Sequence, residues 1–511
     1  MDKKRSTLTL TGTGIVVIGA AYLLTENRGP EMPTGQAGGS QAPANVLLII
    51  ADDIGVDKIG AYADDGDPDY RNDAQWLPQT PVIDSLATAG VRFTDAWANP
   101  NCSPTRATVM TGRQAYDHGV GNPVSLYSPA ALLTEDTSLA ELVVREGYKT
   151  ALFGKWHLGE NDGPGGEEWS TNYDDEFTHE LNPNTHGFGR FQGAIGGDVA
   201  NYRRWESLNS WTDYQGTVTA SGWLETEYAT LNITDASLGW ANDQARPWLL
   251  VASYNAPHDP LDLPDAACTY SYTDGDFPTE DIGKYQALAE CLDIQIGELL
   301  AGLDDLDDTL IIFLGDNGTW RDYAEGPFDD GRGKATVFES GVRVPLIVTD
   351  GRAWQAAQPD FVSTTDWQRS PTWVNDPGRE IADPVSVADI FATVADVADT
   401  DGSSGTDSVS LVPFMKDVPG IIRDQVYTEM FNSELTGAAA LRSGAMKIKV
   451  DVIADGDSRC RDNYQLYNVV SDRYEESDLA EKAPAALETF RAKLEAVVAI
   501  QGNGWLDIPD C

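Results

Sequence analysis

The chain has 511 residues, 41% of them hydrophobic, with 81 Asp and Glu against 35 Lys and Arg and a formal net charge of −46. That length and apolar content are ample for a large core, normally divided into two or three domains, and exclude a wholly disordered chain. The charge excludes a phosphate-backbone partner, because so acidic a surface repels nucleic acid.

The chain opens with Met1-Asp2-Lys3-Lys4-Arg5, a basic start, followed by an apolar run from Leu8 to Leu24. Residues 1–24 therefore predict an export signal, with an uncleaved anchor as the alternative and the only expected membrane contact. Residues 25–44, rich in Pro, Gly and Gln, predict a flexible linker. The expected location is periplasmic, extracellular or cell-surface. High salt, which screens self-repulsion, is a setting that suits the −46 charge. Cysteine usage agrees with export: setting Cys102 aside leaves Cys268, Cys291, Cys460 and Cys511, enough for two disulfides. The simplest pairing is Cys268–Cys291 and Cys460–Cys511, although sequence leaves the pairing open.

From Asn45 the chain runs through the continuously apolar residues 46–51 to Asp52 and Asp53. Such a run belongs inside a mainly parallel sheet, whose ligands gather at the C-terminal strand ends. Two adjacent carboxylates there are either a strand-end turn or the start of a hard-cation cage. A helix starts at Thr80-Pro81 and ends at Gly90. Next comes Asn101-Cys102-Ser103-Pro104-Thr105-Arg106, entering a helical run that ends at Thr111-Gly112. A sulfur at a helix N-terminus meets unpaired N–H groups and a positive dipole end, which suits an anionic substrate. Read alone, Cys102 is equally a buried structural cysteine.

A helix over 137–146 and a strand over 148–153 follow, delivering Lys155 and His157 between glycines. Two residues apart, both side chains point the same way if the extended backbone continues. Residues 160–235, rich in Gly, Asn, Trp and Tyr, predict an irregular rim. There Tyr202, Trp205, Trp211 and Tyr214 are candidates for ring stacking, packing being the commoner use of such aromatics.

Residues 247–254 predict another buried strand, which places His258 at its end. A helix over 282–303 precedes the strand 309–314, which runs into Asp316 and Asn317, oxygen donors placed as Asp52 and Asp53 are. Lys334 follows between Gly333 and a strand ending near Val348, and 351–378 predicts a surface excursion. Past about residue 420, short alternating runs and a charged helix over 483–500 predict a small antiparallel sheet carrying a helix. The fold class is thus α/β, a large mainly parallel sheet sandwiched by helices over 45–420 with a smaller α+β unit over 421–511.

Cys102-x-Pro104-x-Arg106 followed by Thr111-Gly112-Arg113, together with the strand-end residues, resembles the type I sulfatases of the alkaline phosphatase superfamily. The resemblance extends from Asn45 to about Leu479. It implies an alkaline phosphatase-like fold and one Ca²⁺ held by Asp52, Asp53, Asp316 and Asn317 together with residue 102. It implies that Cys102 is converted to formylglycine by a maturation enzyme. Arg106, Lys155, His157, His258 and Lys334 are the other implied catalytic residues. Thr105 stands where the family often has Ser, and Ser340 where Gly is usual.

The implied reaction is hydrolysis of a sulfate ester, on a sulfated glycan or a small aryl sulfate. A hydrated aldehyde at position 102 attacks sulfur, cations neutralise the sulfate oxygens, His258, alone or with Lys334, protonates the leaving alcohol and His157 takes the proton of the second hydroxyl. The alternatives are a phosphonate monoester or phosphodiester hydrolase of the same superfamily and a non-catalytic calcium-binding surface protein.

Overall fold

The computed structural model describes residues 44–63, 75–124, 132, 136–159, 183–212, 217–325, 331–358, 373–418, 423–432, 434–455, 458–500, 506 and 508–511. The signal or anchor expected at 1–24, the linker up to residue 43, Tyr214, the core of the 351–378 excursion and the boundary near 420 lie outside the described residues. All the described residues belong to one unit, Pro43–Cys511.

The principal sheet has eleven strands: β1 (Asn45–Ala51), β2 (Val91–Trp97), β3 (Lys149–Gly154), β4 (Arg190–Gly193), β5 (Trp205–Thr212), β6 (Val218–Glu225), β7 (Trp248–Ser253), β8 (Thr309–Gly315), β9 (Arg343–Asp350), β10 (Arg379–Ile381) and β11 (Val385–Ser386). Their order is β10-β2-β9-β8-β1-β7-β3-β4-β5-β6, with β11 also paired to β2. At the centre, β8, β1, β7, β3 and β4 run parallel, and β9, β5 and β6 are antiparallel to their neighbours. The apolar runs explain the centre, since every residue of β1, β7 and β8 is buried.

Alternate residues of β1 enter different cores, as the two-residue period of a strand requires. Val46, Leu48 and Ile50 pack with α2 (Cys102–Thr111), α3 (Leu139–Val144) and α6 (Asp389–Val397). Leu47 and Ile49 pack on the opposite face with α1 (Pro81–Ala89), α4 (Ala229–Ala241) and α5 (Asp281–Gly302). The helix expected over 137–146 runs over Leu139–Val144, and a capping box between Ser138 and Glu141 sets its start. The start of α1 is capped from another helix: Asp293 of α5 accepts the amides of Val82 at 3.1 Å and Ile83 at 2.8 Å.

Residues 160–235 are more regular than their composition predicts. Their described part supplies β4–β6 and the start of α4. Tyr202 and Trp205 are buried, with Tyr202 Oη donating to the His258 carbonyl at 2.9 Å, so neither stacks on a substrate; Trp211 is exposed. The reason is that β5 and β6 prolong the sheet, and one face of them has to be covered.

The C-terminal part forms a second sheet of β12 (Gln425–Phe431), β13 (Gly437–Ser443), β14 (Met446–Asp455) and β15 (Ser458–Asn468), antiparallel throughout, with α7 (Pro484–Ile500) packed on it. Disulfides join Cys268 to Cys291 and Cys460 to Cys511, and Cys102 is left as a free, buried thiol. Among the described residues, no helix is long and apolar enough to cross a membrane.

Candidate active site

Four adjacent parallel strands, β8, β1, β7 and β3, bring their C-terminal ends to one place. Asp316 and Asn317 leave β8, Asp52 and Asp53 leave β1, and Lys155 and His157 leave β3, with His258 in the turn after β7. Backbone bonds lock these exits together: Asp52 N–H donates to the Ala256 carbonyl at 3.2 Å, Asp316 N–H to Ala51 at 3.0 Å, and Lys155 N–H to Ser253 at 2.8 Å. The N-terminus of α2 adds Cys102, only 2% exposed. One oxygen each of Asp52 and Asp316 and the Cys102 sulfur lie within 4.8 Å of one another, as do ligand atoms of Asp52, Asp53 and His258. The cation candidates named from sequence are therefore assembled in one buried cluster.

Three buried cations face the three carboxylates. Arg106 Nε and Nη2 reach Asp316 Oδ2 at 3.0 and 2.9 Å, while Nη1 donates to the Lys155 carbonyl and to Ser253 Oγ. Lys155 Nζ donates to Asp52 Oδ2 at 2.5 Å. Lys334 Nζ donates to Asp53 Oδ1, which also accepts from Asn317 Nδ2 at 2.8 Å. His258 is partly exposed, with Nδ1 2.7 Å from the Asp259 carbonyl and Nε2 3.7 Å from Asp53 Oδ2.

After these pairings, some polar atoms remain without a hydrogen bond although buried: Asp52 Oδ1, Asn317 Oδ1 and His157 Nδ1. His157 Nε2 lies 3.0 Å from the Val124 carbonyl, an acceptor, so Nε2 carries the proton and Nδ1 presents a bare lone pair.

Electrostatics follow from the same contacts. Burial pushes Asp53 up, but Lys334, His258 and Lys155 outweigh it and hold that carboxyl well below the usual range. Burial and the neighbouring Asp52 charge push Asp316 up to about 6 despite Arg106. The Cys102 thiol is raised by burial, yet Lys155 and Lys334 bring it below its ordinary value. Burial, Lys155, Arg106 and Lys334 all lower His157, which is neutral at pH 7.

The extended backbone of β3 does not continue through His157, whose φ of 57° is left-handed, as is Asp53 at 64°. A bulky residue in that region stores backbone strain. The imidazole is also why Gly197 is needed: a Cβ there would lie 2.5 Å from His157 Nε2. Sequence reading did not find Gly197, nor Ser103, which ties the motif to this histidine by donating to the His157 carbonyl at 2.8 Å and accepting from Val124 N–H. Thr105 keeps the role of a hydroxyl, bonding main-chain atoms of Asn99. Ser340 Oγ donates to the Arg332 carbonyl at 2.8 Å in the loop that carries Lys334. That loop meets the Cys102 segment directly, through Ala335 N–H and the Pro100 carbonyl at 2.8 Å.

A family model described as Sulfatase matches residues 44–400. N-acetylgalactosamine-6-sulfatase of Homo sapiens is 29% identical over 332 residues, covering 61% of this chain and 58% of that protein. Steryl-sulfatase of Mus musculus is 27% identical over 467 residues, covering 74% and 66% respectively. The chain thus spans less than two thirds of the length of these relatives. Two solved structures share the fold. Ps i-CgsB in complex with k-i-k-neocarrahexaose has a TM-score of 0.67 at 23% identity, covering 92% of this chain and 95% of its own. A protein in complex with its substrate D-glucosamine-2-N,6-O-disulfate has a TM-score of 0.64 at 16% identity, covering 91% and 100%. Since the family model takes in well over half of the residues, including every strand-end group described above, the chain belongs to the sulfatase family.

Proposed function

We propose that this protein hydrolyses sulfate esters of a sulfated carbohydrate or aryl alcohol to alcohol and inorganic sulfate, with Ca²⁺ and a formylglycine made from Cys102. The observation that carries the reading is the Cys102 sulfur set against the oxygens of Asp52 and Asp316, with Lys155, Lys334 and Arg106 around them. A buried structural cysteine has no need of such surroundings, and a soft thiolate is a poor match for an oxygen-rich site.

The donor set fits a hard cation. Asp52 Oδ1 and Asn317 Oδ1 are buried oxygens without hydrogen bonds, and oxygen ligands are what Ca²⁺ takes. Asp52, Asp53, Asp316 and Asn317 would hold the ion, with residue 102 beside it. When bound, it would polarise and neutralise sulfate oxygens, and formylglycine would supply a hydrated-aldehyde nucleophile.

The chain's own residues do the rest. Lys155, Lys334 and Arg106 bind and orient the sulfate oxygens in a site from which their burial excludes water. His258 donates Nδ1–H to the Asp259 carbonyl and so turns Nε2 to the open side of the site, from which its imidazolium form would pass a proton to the leaving alcohol. His157, neutral and with Nδ1 free to accept, is the buried base.

The carbohydrate reading is supported by the neighbour solved with a disulfated glucosamine. Export, through a signal or anchor over 1–24 and a linker over 25–44, is part of the proposal, as are a maturation enzyme acting on Cys102 and the division into 45–420 and 421–511.

Mass spectrometry of the Cys102 peptide, from a host that carries out the maturation, is the direct test. Conversion of thiol to aldehyde, with turnover of 4-nitrophenyl sulfate faster than that of an aryl phosphonate, is expected. An unmodified thiol with calcium binding but no hydrolysis would instead establish a binding protein.

A further inference from the structure

We propose that Trp320 and Arg321 form a subsite beside His258 that binds a second anionic group, a carboxylate or a sulfate, of a polyanionic saccharide whose ester is cleaved. The proposal rests on the sulfatase reading and adds to it a substrate class.

The mouth of the site can be located from burial. Asp52, Asp53, Cys102, Arg106, Lys155, His157, Asp316 and Asn317 are each at most 5% exposed, whereas the His258 side chain is 19% exposed and Asp259 beside it is open to solvent. A substrate too large to be swallowed must extend past His258.

The loop following Asn317 borders that opening at three points. It starts at Asn317 itself. Its Thr319 carbonyl accepts from Lys334 N–H at 3.0 Å. Its Tyr323 Oη donates to the Asp259 carboxylate at 2.9 Å and stacks on Tyr285, whose own hydroxyl donates to the Asp53 carbonyl at 2.7 Å. Trp320 and Arg321 lie between the second and third of these points, so the rigid parts of the loop hold them at the rim.

Their chemistry suits an anionic sugar. Trp320 is half-buried, and the Arg321 guanidinium lies 5.0 Å from its ring centroid, so indole and cation make one pre-organised surface. Arg321 is exposed and forms no ion pair among the described residues. The acid next to Arg321 and the acid at the mouth are engaged elsewhere: Asp322 accepts from Trp320 Nε1 at 3.3 Å, and Asp259 from Tyr323. In a chain of net charge −46, an available guanidinium at this rim offers a carboxylate or sulfate a forked donor against a repelling background.

The test compares matured wild type with Arg321→Gln, Arg321→Lys and Trp320→Ala. The substrates are 4-nitrophenyl sulfate, monosulfated neutral saccharides, disulfated saccharides, and monosulfated saccharides containing a uronic acid. The expected result is that Arg321→Gln raises KM for one polyanionic class about 10-fold relative to the aryl sulfate, as loss of a charged hydrogen bond predicts. Arg321→Lys should recover part of that loss, and Trp320→Ala should weaken the saccharides as a group. Whether the uronic or the disulfated series responds identifies the anionic group. Equal changes on all substrates, no change on any, or wild type that turns over aryl sulfate but no polyanionic saccharide would each overturn the subsite and leave the sulfatase reading standing. Matured wild type without activity on any sulfate ester would overturn both.

Discussion

Two clusters of buried charge lie within this protein, and they differ in what remains after the charges have paired. One is the strand-end site. The other joins the two sheets: Arg442 holds Asp95 through two nitrogens, at 2.8 and 2.9 Å, and Arg473 adds a third contact. There Lys447 bridges Glu339 at 3.1 Å and Glu475 at 3.0 Å, and Glu475 also accepts the Glu339 amide. Each cluster sets three carboxylates against three cations. At the junction these charges pair between packed strands, and Glu339 Oε2, like Asp52 Oδ1 at the site, is left without a hydrogen bond. At the site an amide oxygen, an imidazole nitrogen and a thiol are left over, and one side is open. Neither buried charge nor a single unpaired oxygen therefore marks function; several unpaired ligand atoms gathered beside an opening do.

Removal of the thiol should separate the two clusters most widely. Cys102→Ala should lower turnover by at least about 10⁴-fold, because a nucleophile position is lost, while costing the fold only about 1 kcal/mol. Steady-state assays and thermal unfolding of the same preparation would check this, and an active variant would remove the site from consideration.

The mirror experiment is Lys447→Met. It leaves Glu339 and Glu475 buried without their shared cation and should cost about 3–5 kcal/mol of stability. Turnover per folded molecule, measured well below the unfolding transition, should stay within about threefold of wild type, since the junction makes no contact with the ester. A larger loss would show that the junction also serves the chemistry.

Calcium sharpens the contrast further. Added at 100 times its dissociation constant to protein treated with a chelator, it should raise stability by about 2.7 kcal/mol in denaturant titrations. Asn317→Ala removes one of the unpaired oxygens and should shrink that gain, whereas junction variants should keep it.

The smallest effect is expected far from both clusters. Ser138→Ala breaks the capping box of α3 and should cost about 1 kcal/mol with turnover unaltered. A matching loss of activity would mean that α3 helps to hold the motif helix α2.

Much of the site is legible in the sequence because the signals are local. Apolar runs end at Asp52, Asp316, Lys155 and His258, and a parallel sheet puts such ends together. The disulfide pairs were legible as the simplest of several pairings. The Gly-, Asn-, Trp- and Tyr-rich composition of residues 160–235 predicts an irregular rim, yet their described strands extend the sheet and bury Tyr202 and Trp205. The left-handed backbone at His157 and the fit of Gly197 against its ring left no trace in residue spacing.

Sequence by itself determined the class of fold, the order of the strand-end residues and the chemical types gathered there, since hydrophobic period and residue identity act over a few neighbours. Only the tertiary structure decided which oxygens are left unpaired, which histidine is buried and neutral, where the site opens and that Arg321 stands at its edge. Those are properties of packing between residues as far apart as Asp53 and Lys334, and burial and charge pairing exist only once the sheet has brought such residues together.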